Sequence, residues 1–418
     1  MHVDHPYRAA IMEEVHARPI DLIPASCRLR RLVFVIPSAL SSMQEVFKRF
    51  QSFCAGSDLN VPESMARQHS FERQQRHVTW EFHTEFVTVT WRTELSDMVN
   101  EPHDIGLSAI DTGLLVGAVR LDVIPEAAVP ERLVPGFNLA SLCLSDVEGG
   151  AAQVATDFIP DGDRFVRFEL AAGGLTQLRR SIIARRLLEV ETYRTMALLA
   201  LPVAREVAPG VRNAEMALSQ LIEYLPEAST QPATQRALSE LHLLSIRCGQ
   251  FSEQTDYRFA AGKAYGAVLQ ARLNGLRESG TVRGSTLGHY IANRVDPALA
   301  TCLAIERRLE LLSEKLSRAI GLLEARVGVD MQSQNAALLD SIAQTTRSQL
   351  LLQRTVEGLS TIAISYYLLG IVSYGAAGWL DELHWQKTTV LSLVTPLVLL
   401  FVWIVVSGAR RKHTSQPT

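Results

Sequence analysis

LSTIAISYYLLGIVSYGAAGWL (Leu359–Leu380) and VLSLVTPLVLLFVWIVVS (Val390–Ser407) are two apolar runs, and Asp381, Glu382, His384 and Lys387 supply the charged or titratable groups between them. Each run has about the twenty residues a helix needs to cross roughly 30 Å of hydrocarbon. Both are too long and too evenly apolar for a buried hairpin of a soluble core. The spacing therefore predicts two transmembrane helices, 358–380 and 390–407, joined by an external loop, 381–389. The 408–418 tail contains Arg410, Arg411 and Lys412, whereas the loop carries more acid than base. Positive charge tends to stay on the cytoplasmic side, so both termini are expected to be cytoplasmic. Met1–Pro6 lacks a basic segment followed by an apolar run, which leaves insertion to the C-terminal helices.

The 418 residues leave room before the first span for two soluble units. A net charge of −3 gives no basic footprint for a nucleic-acid partner. Five cysteines, Cys27, Cys54, Cys143, Cys248 and Cys302, are scattered singly and fit reduced thiols in a cytoplasmic compartment.

Ten of the seventeen prolines fall before residue 170, between short β-branched runs. An α/β domain is expected over 1–170. Arg28–Ile36 reads as a strand and Pro37–Ala55 as a helix with proline in its first turn. His77–Phe82 and Phe86–Trp91 alternate apolar with polar across a short connection, a β-hairpin. Further strands are expected at Ala118–Ile124, Ala152–Phe158 and Phe165–Leu170. A helical domain over 171–297 should then open with one long helix, Leu175–Ala204, followed by Val211–Tyr224 and two or three more helices.

From 298 to 357 no proline interrupts the chain, and one very long stalk helix is the simplest reading. Ile305, Leu309, Leu312, Leu316, Ala319, Leu323 and Val327 alternate spacings of four and three, the seam of a coiled coil. A stutter at Met331 and Asn335 precedes Leu338 and Ile342. So regular a stripe is expected to pack on the helical domain, on further copies of the chain, or on both. The resulting fold class is α+β, with a stalk helix leading into a two-helix transmembrane hairpin.

Catalytic signatures are absent. Gly262-Lys263 has Tyr257 where a phosphate-binding loop needs its first glycine, and no hydroxyl residue follows the lysine. The expectation is a protein that is not an enzyme and has no cofactor. Two stretches nonetheless gather binding chemistry. His5, Arg8, Glu13, His16 and Arg18 cluster around a short N-terminal helix, where Glu13 and His16 share a face. They can bind a ligand or cation, or Glu13 and Arg18 can simply clamp the helix onto the sheet. In the hairpin, His77, Glu81, His83 and Glu85 lie on one side, opposite Trp80 and Phe82. Histidine with carboxylate can ligate zinc, but an exposed sheet face explains the alternation equally well. Glu191 and Arg194 should form an i, i+3 ion pair. In the first span Tyr366, Ser373, Tyr374 and Gly375 give one face a polar or small character, fitting a helix contact or a pore lining. Asp381 and Glu382 would then stand at the pore mouth.

The runs EEVHARP (Glu13–Pro19), WEFHTEF (Trp80–Phe86), LLEVETYRTMALLALPVA (Leu187–Ala204) and QRTVEGLSTIAISYYLLGIVSYG (Gln353–Gly375) resemble a bacterial family of membrane-anchored proteins, domain of unknown function 3422. The resemblance covers essentially the whole chain. It implies a cytoplasmic portion on a C-terminal inner-membrane anchor and brings no activity with it.

In layout the chain is also similar to the CorA-type divalent-cation transporters, which are pentamers. Their Gly-Met-Asn signature after a tyrosine corresponds here to Tyr374-Gly375-Ala376-Ala377, so the asparagine that holds the hydrated ion is missing. The expectation is a binding, scaffolding or regulatory homo-oligomer in the lipid bilayer. A CorA-like channel for a divalent cation is the alternative.

Overall fold

A computed structural model describes residues 5, 7–8, 11–12, 18–37, 39–64, 66–226, 230–382 and 387–413, the side chains of 376–387, 390–391 and 407–413 excepted. The chain divides into two compact units, Met1–Gly321 and Leu322–Thr418.

The first unit is built on one nine-stranded sheet. In chain order its strands are β1 (Cys27–Val35), β2 (Gln68–Arg73), β3 (Arg76–Phe82), β4 (Phe86–Thr93), β5 (Leu114–Ile124), β6 (Cys143–Val147), β7 (Ala152–Pro160), β8 (Val166–Ala171) and β9 (Ser279–Gly280). Across the sheet they run β2-β3-β4-β1-β5-β8-β7-β6-β9. Only the β5–β8 pair is parallel. The region is accordingly α+β with a mixed, mainly antiparallel sheet. The expected hairpin is β3–β4, with Trp80 opposite Val89.

Helix α1 (Met43–Gly56) lies on one face of the sheet. It starts six residues later than the proline suggested, because Ser42 and Glu45 form a reciprocal capping box that sets its first turn. Phe50 of α1 stacks on Trp80 at a ring separation of 4.2 Å, within a cluster that includes Leu32, Val78, Val87 and Trp91. The same face carries a charged patch further along the sheet. There Asp122 receives Arg28 through both carboxylate oxygens, and Arg30, 0 % exposed, donates to Asn100, Thr93 and the Asp97 carbonyl.

Helices α2 (Gln177–Leu198), α3 (Ala200–Tyr224) and α4 (Gln231–Leu276) follow, with α2 packed on β5, β8 and α4. The single helix expected over Leu175–Ala204 is broken at Leu199, and its remainder belongs to α3. Pro202 begins a helix instead of ending one: its missing N–H falls in the first turn, where no intrahelical bond is lost. Helix α4 runs 46 residues without interruption. Gly262 and Gly266 allow its close packing: an added Cβ would lie 2.9 Å from the Ala200 Cβ at the first and 2.7 Å from a Leu299 methyl at the second.

Helix α5 (Leu287–Glu382) is the long C-terminal helix, 96 residues with Pro297 inside it. Leu287, Ile291 and Val295 enter the cluster formed by Leu121, Phe168, Leu187 and Leu269, and this burial carries the helix through the proline. The expected boundary at 170/171 falls inside that same cluster, between β8 and α2. Ile305, Leu309, Leu312, Leu316 and Ala319 are all buried within the chain. Arg308 beside them pairs with Glu215 of α3 at 2.5 Å, and the Leu309 carbonyl accepts the Cys248 thiol of α4. The upper seam thus belongs to an intramolecular helix packing.

In the second unit α5 continues without a break at Gly358, and α6 (Lys387–His413) follows. Met331, Leu338 and Ile342 are more than half exposed, so among the described residues nothing covers the lower stripe. Among the described residues one helix, within Leu287–Gly375, is long and apolar enough to cross a membrane, and 6 % of its apolar window is buried. Ser392–Val406 is a shorter apolar stretch.

Candidate functional site

Alternation along β1 puts Leu29, Arg31 and Val33 on the sheet face that meets α2 and α4. Arg31 is therefore a charge placed where a strand would ordinarily bury an apolar residue. On β4 Thr90 accepts its Nε at 2.7 Å, and on β3 Glu81 accepts its Nη2 at 2.9 Å. Thr88 donates to the same Glu81 oxygen at 3.0 Å. The second Glu81 oxygen meets Arg185 of α2 at 3.3 Å. Burial alone would raise the Glu81 carboxyl, but the Arg31 and Arg185 guanidinium groups outweigh it and hold the group below the usual range.

On α2, Arg185, Glu189, Thr192 and Tyr193 recur at helical spacing on one face. Arg185 pairs with Glu189 at 3.0 Å, and Arg272 of α4 reaches Glu189 at 2.5 Å. Arg185 also donates to the Arg18 and Pro19 carbonyls, tying an N-terminal strap to the helix. Arg18 in turn donates to the Phe82 carbonyl at 3.2 Å. Asp21 accepts from Thr79 at 2.7 Å and lies 3.4 Å from His77, whose pKa Asp21 and Glu72 raise.

These elements enclose a cavity of about 50 Å³ lined by Arg18, Arg31, Arg185, Arg272, Glu81, Glu189, His83, Thr192 and Tyr193. A second hollow of about 60 Å³ shares Arg31, Glu81 and Arg185 with it. Burial pushes the His83 imidazole down to about 3, so the ring is neutral at ordinary pH, stacked on Phe86 at 4.0 Å. Four guanidinium groups face two carboxylates. The arrangement suits the binding of a small anion.

Of the residues singled out in the sequence, the structure brings Arg18, Glu81 and His83 together here. Glu85 is beside them but engaged elsewhere: Tyr257, Arg258 and Tyr265 of α4 all donate to its carboxylate. His5 and Arg8 are exposed and do not line the cavity. Glu13 and His16 lie outside the described residues. The face carrying Glu81 and Glu85 is buried under α2 and α4, not solvent-exposed as an alternating edge would be. No group of three His, Cys, Asp or Glu side chains able to hold a metal exists among the described residues. Glu191 and Arg194 do pair, at 2.6 Å.

Sequence reasoning did not single out Arg31, Arg185, Glu189, Tyr193 or Arg272. The available signal was the adjacent Arg30-Arg31 in a short strand, which forces one guanidinium onto each buried face. A larger cleft of about 580 Å³ between α3 and α4 is open, and its charged residues Arg236, Glu240 and Arg247 are exposed.

In the second unit Tyr366, Gly370, Ser373 and Tyr374 line one groove of about 420 Å³ on α5, with Tyr366 76 % and Tyr374 87 % exposed. Gly375 is the next residue on the helix, and the side chains of Asp381 and Glu382 lie outside the described ones.

A mixed sheet with helices over a charged cavity, followed by one long helix with an apolar end, defines the class of protein. The chain belongs to the family described as a protein of unknown function (DUF3422), which matches residues 3–413. No curated protein and no solved structure matches it. Three of the four runs that carried the resemblance contribute residues to the cavity: Arg18 from the first, Glu81 and His83 from the second, and Glu189, Thr192 and Tyr193 from the third.

Proposed function

We propose that this protein is a membrane-anchored homo-oligomer whose soluble unit binds a ligand, in a scaffolding or regulatory role and not as an enzyme. The observation that carries the reading is the uncovered stripe on α5. Leu338, Ile342, Leu352, Val356 and Leu359 are each more than half exposed on a single helix, which a monomer in water does not sustain. Met331, Leu338, Leu352, Leu359, Tyr366 and Ser373 occur at multiples of seven residues, the repeat by which identical helices pack. One face thus runs from stalk to apolar segment, and further copies of the chain cover it in this reading. The spans are 358–380 and 390–407, in the bacterial inner membrane with both termini cytoplasmic.

Two experiments test this. Native mass spectrometry of the detergent-solubilised protein should show one defined oligomer; a monomer alone ends the assembly. Reporter fusions at 384 and after 413 should report periplasm and cytoplasm respectively, and the reverse pattern overturns the orientation.

A CorA-like cation channel is the second reading, favoured by the exposure of Tyr366 and Tyr374 on the same helix. Hydroxyls and carbonyls near Tyr374-Gly375 would then face an axis, with Asp381 and Glu382 gathering cations. The missing Met-Asn weighs against efficient magnesium transport. Magnesium flux into dye-loaded liposomes, lost on combining Asp381→Ala with Glu382→Ala, would move this reading to first place.

A further inference from the structure

We propose that the cavity between Arg18, Arg31, Arg185 and Arg272 is a binding site for one small oxyanion of the phosphate class. The assignment deepens the binding reading of the soluble unit and is independent of anchorage and assembly.

Charge is the first argument. Four guanidinium groups surround the cavity, and Glu81 and Glu189 neutralise two of them. The His83 ring adds no charge, since burial holds it neutral. Among the described residues two positive charges are left over, in a region where Arg31 is 6 % and Arg185 24 % exposed. Charges withdrawn from water need a partner, and a dianion supplies both at once. A metal cation is disfavoured by the same surplus.

Donor placement is the second. Among the described residues the Arg18 Nε is buried with no hydrogen-bond partner, and the Arg272 Nε has only the Glu189 ion pair. The guanidinium fork matches a tetrahedral oxyanion through paired N–H groups. The groups come from the strap, the sheet and two helices, so their convergence is fixed by the tertiary fold and not by one flexible loop.

Size is the third. About 50 Å³ exceeds what one water requires and suits a single oxyanion. It leaves no room for the organic part of an ester, so the free ion is the favoured form over a phosphorylated metabolite.

Isothermal calorimetry on the full-length detergent-solubilised protein tests the assignment, with inorganic phosphate, sulfate and glycerol phosphate as probes at matched chloride. Saturable binding of phosphate, one per chain, is expected, with glycerol phosphate weaker. Arg272→Gln should weaken phosphate by about tenfold or more; its side chain is 38 % exposed, and circular dichroism checks that the variant is folded. Absence of saturable phosphate or sulfate binding by the folded wild-type protein at millimolar concentration overturns the proposal. So does unchanged affinity in Arg272→Gln, or tighter binding of glycerol phosphate than of phosphate. The oligomeric state measured on the same sample separates this outcome from failure of the assembly.

Discussion

The Tyr265 hydroxyl donates to the Glu85 carboxylate at 2.8 Å across 180 residues of sequence, and this bond fastens the β3–β4 turn to the middle of α4. Arg258 adds a 2.6 Å contact and Tyr257 one of 3.1 Å, so a single carboxylate gathers three donors from one helix. Glu85 is a clamp between sheet and helix layer. Its replacement by alanine leaves a partly buried guanidinium and two hydroxyls without their acceptor, at a cost of about 3 kcal/mol. Thermal unfolding should register the loss, while Glu85→Gln, which keeps an acceptor oxygen, should lose less. Equal stability of Glu85→Ala and wild type would rule the clamp out.

Glu169, 4 % exposed, has its carboxyl raised by burial and by neighbouring Asp122 to about 7. The folded protein thus holds this proton more tightly than the unfolded chain, and its stability falls as pH rises from about 4.5 to 7 through this group. Glu169→Gln should therefore gain on wild type across that window, by up to roughly 3 kcal/mol above it. Melting temperatures of the two proteins from pH 5 to 8 decide the matter; a constant difference contradicts it.

His83 carries the opposite sign. Its folded pKa of about 3 lies below the unfolded value of 6.5, so its contribution is present above pH 6.5 and is lost as pH falls toward 3. By pH 5 the loss relative to His83→Gln should reach about 2 kcal/mol. Acid titrations of both proteins followed by circular dichroism give the comparison, and coincident acid transitions would show that the ring is not held neutral.

The two halves of the α5 stripe should respond differently to one kind of change. Leu316, 0 % exposed, lies in the first unit, and Leu316→Ala should cost about 2–5 kcal/mol of its stability. Leu352 is 69 % exposed, and Leu352→Asp should leave that unit's melting unchanged while weakening the proposed oligomer. Melting and native mass spectrometry read these separately. Dissociation caused by Leu316→Ala with melting intact would reverse the assignment of the two halves.

Periodicity revealed elements whose pattern is local. The β3–β4 hairpin shows in alternate residues, with Trp80 and Phe82 on the apolar side, and the long helix α5 shows in a three–four spacing interrupted by one stutter. Ends were less legible. Pro202 falls inside the single helix expected over Leu175–Ala204, yet it lies in the first turn of α3, where a proline is harmless. Strands β2 and β6 went unseen: QHSFER and CLSDV lack a clean alternation, and each is a strand because a neighbour offers it a ladder.

The charged cavity lay beyond local reading for the same reason. Arg18, Arg31, Glu81, Arg185 and Arg272 are scattered over 255 positions of the sequence, numbered 18 to 272.

By itself the amino-acid sequence determined the α+β composition, the strand-rich start, the long final helix and the apolar C-terminal runs. These follow from side-chain period and length, which each segment carries alone. Only the tertiary structure decided that Ile305, Leu309, Leu312, Leu316 and Ala319 are covered while, among the described residues, nothing covers Leu338 and Ile342, although the spacing is alike. Burial depends on what stands opposite a helix face, and that is set by segments distant in sequence: α3 and α4 reach Arg308 and Leu309 through Glu215 and Cys248. It likewise turned Glu81 and Glu85 from a presumed solvent face into buried partners of arginines, since α2 and α4 close over the sheet and a carboxylate beneath them must be paired to stay charged.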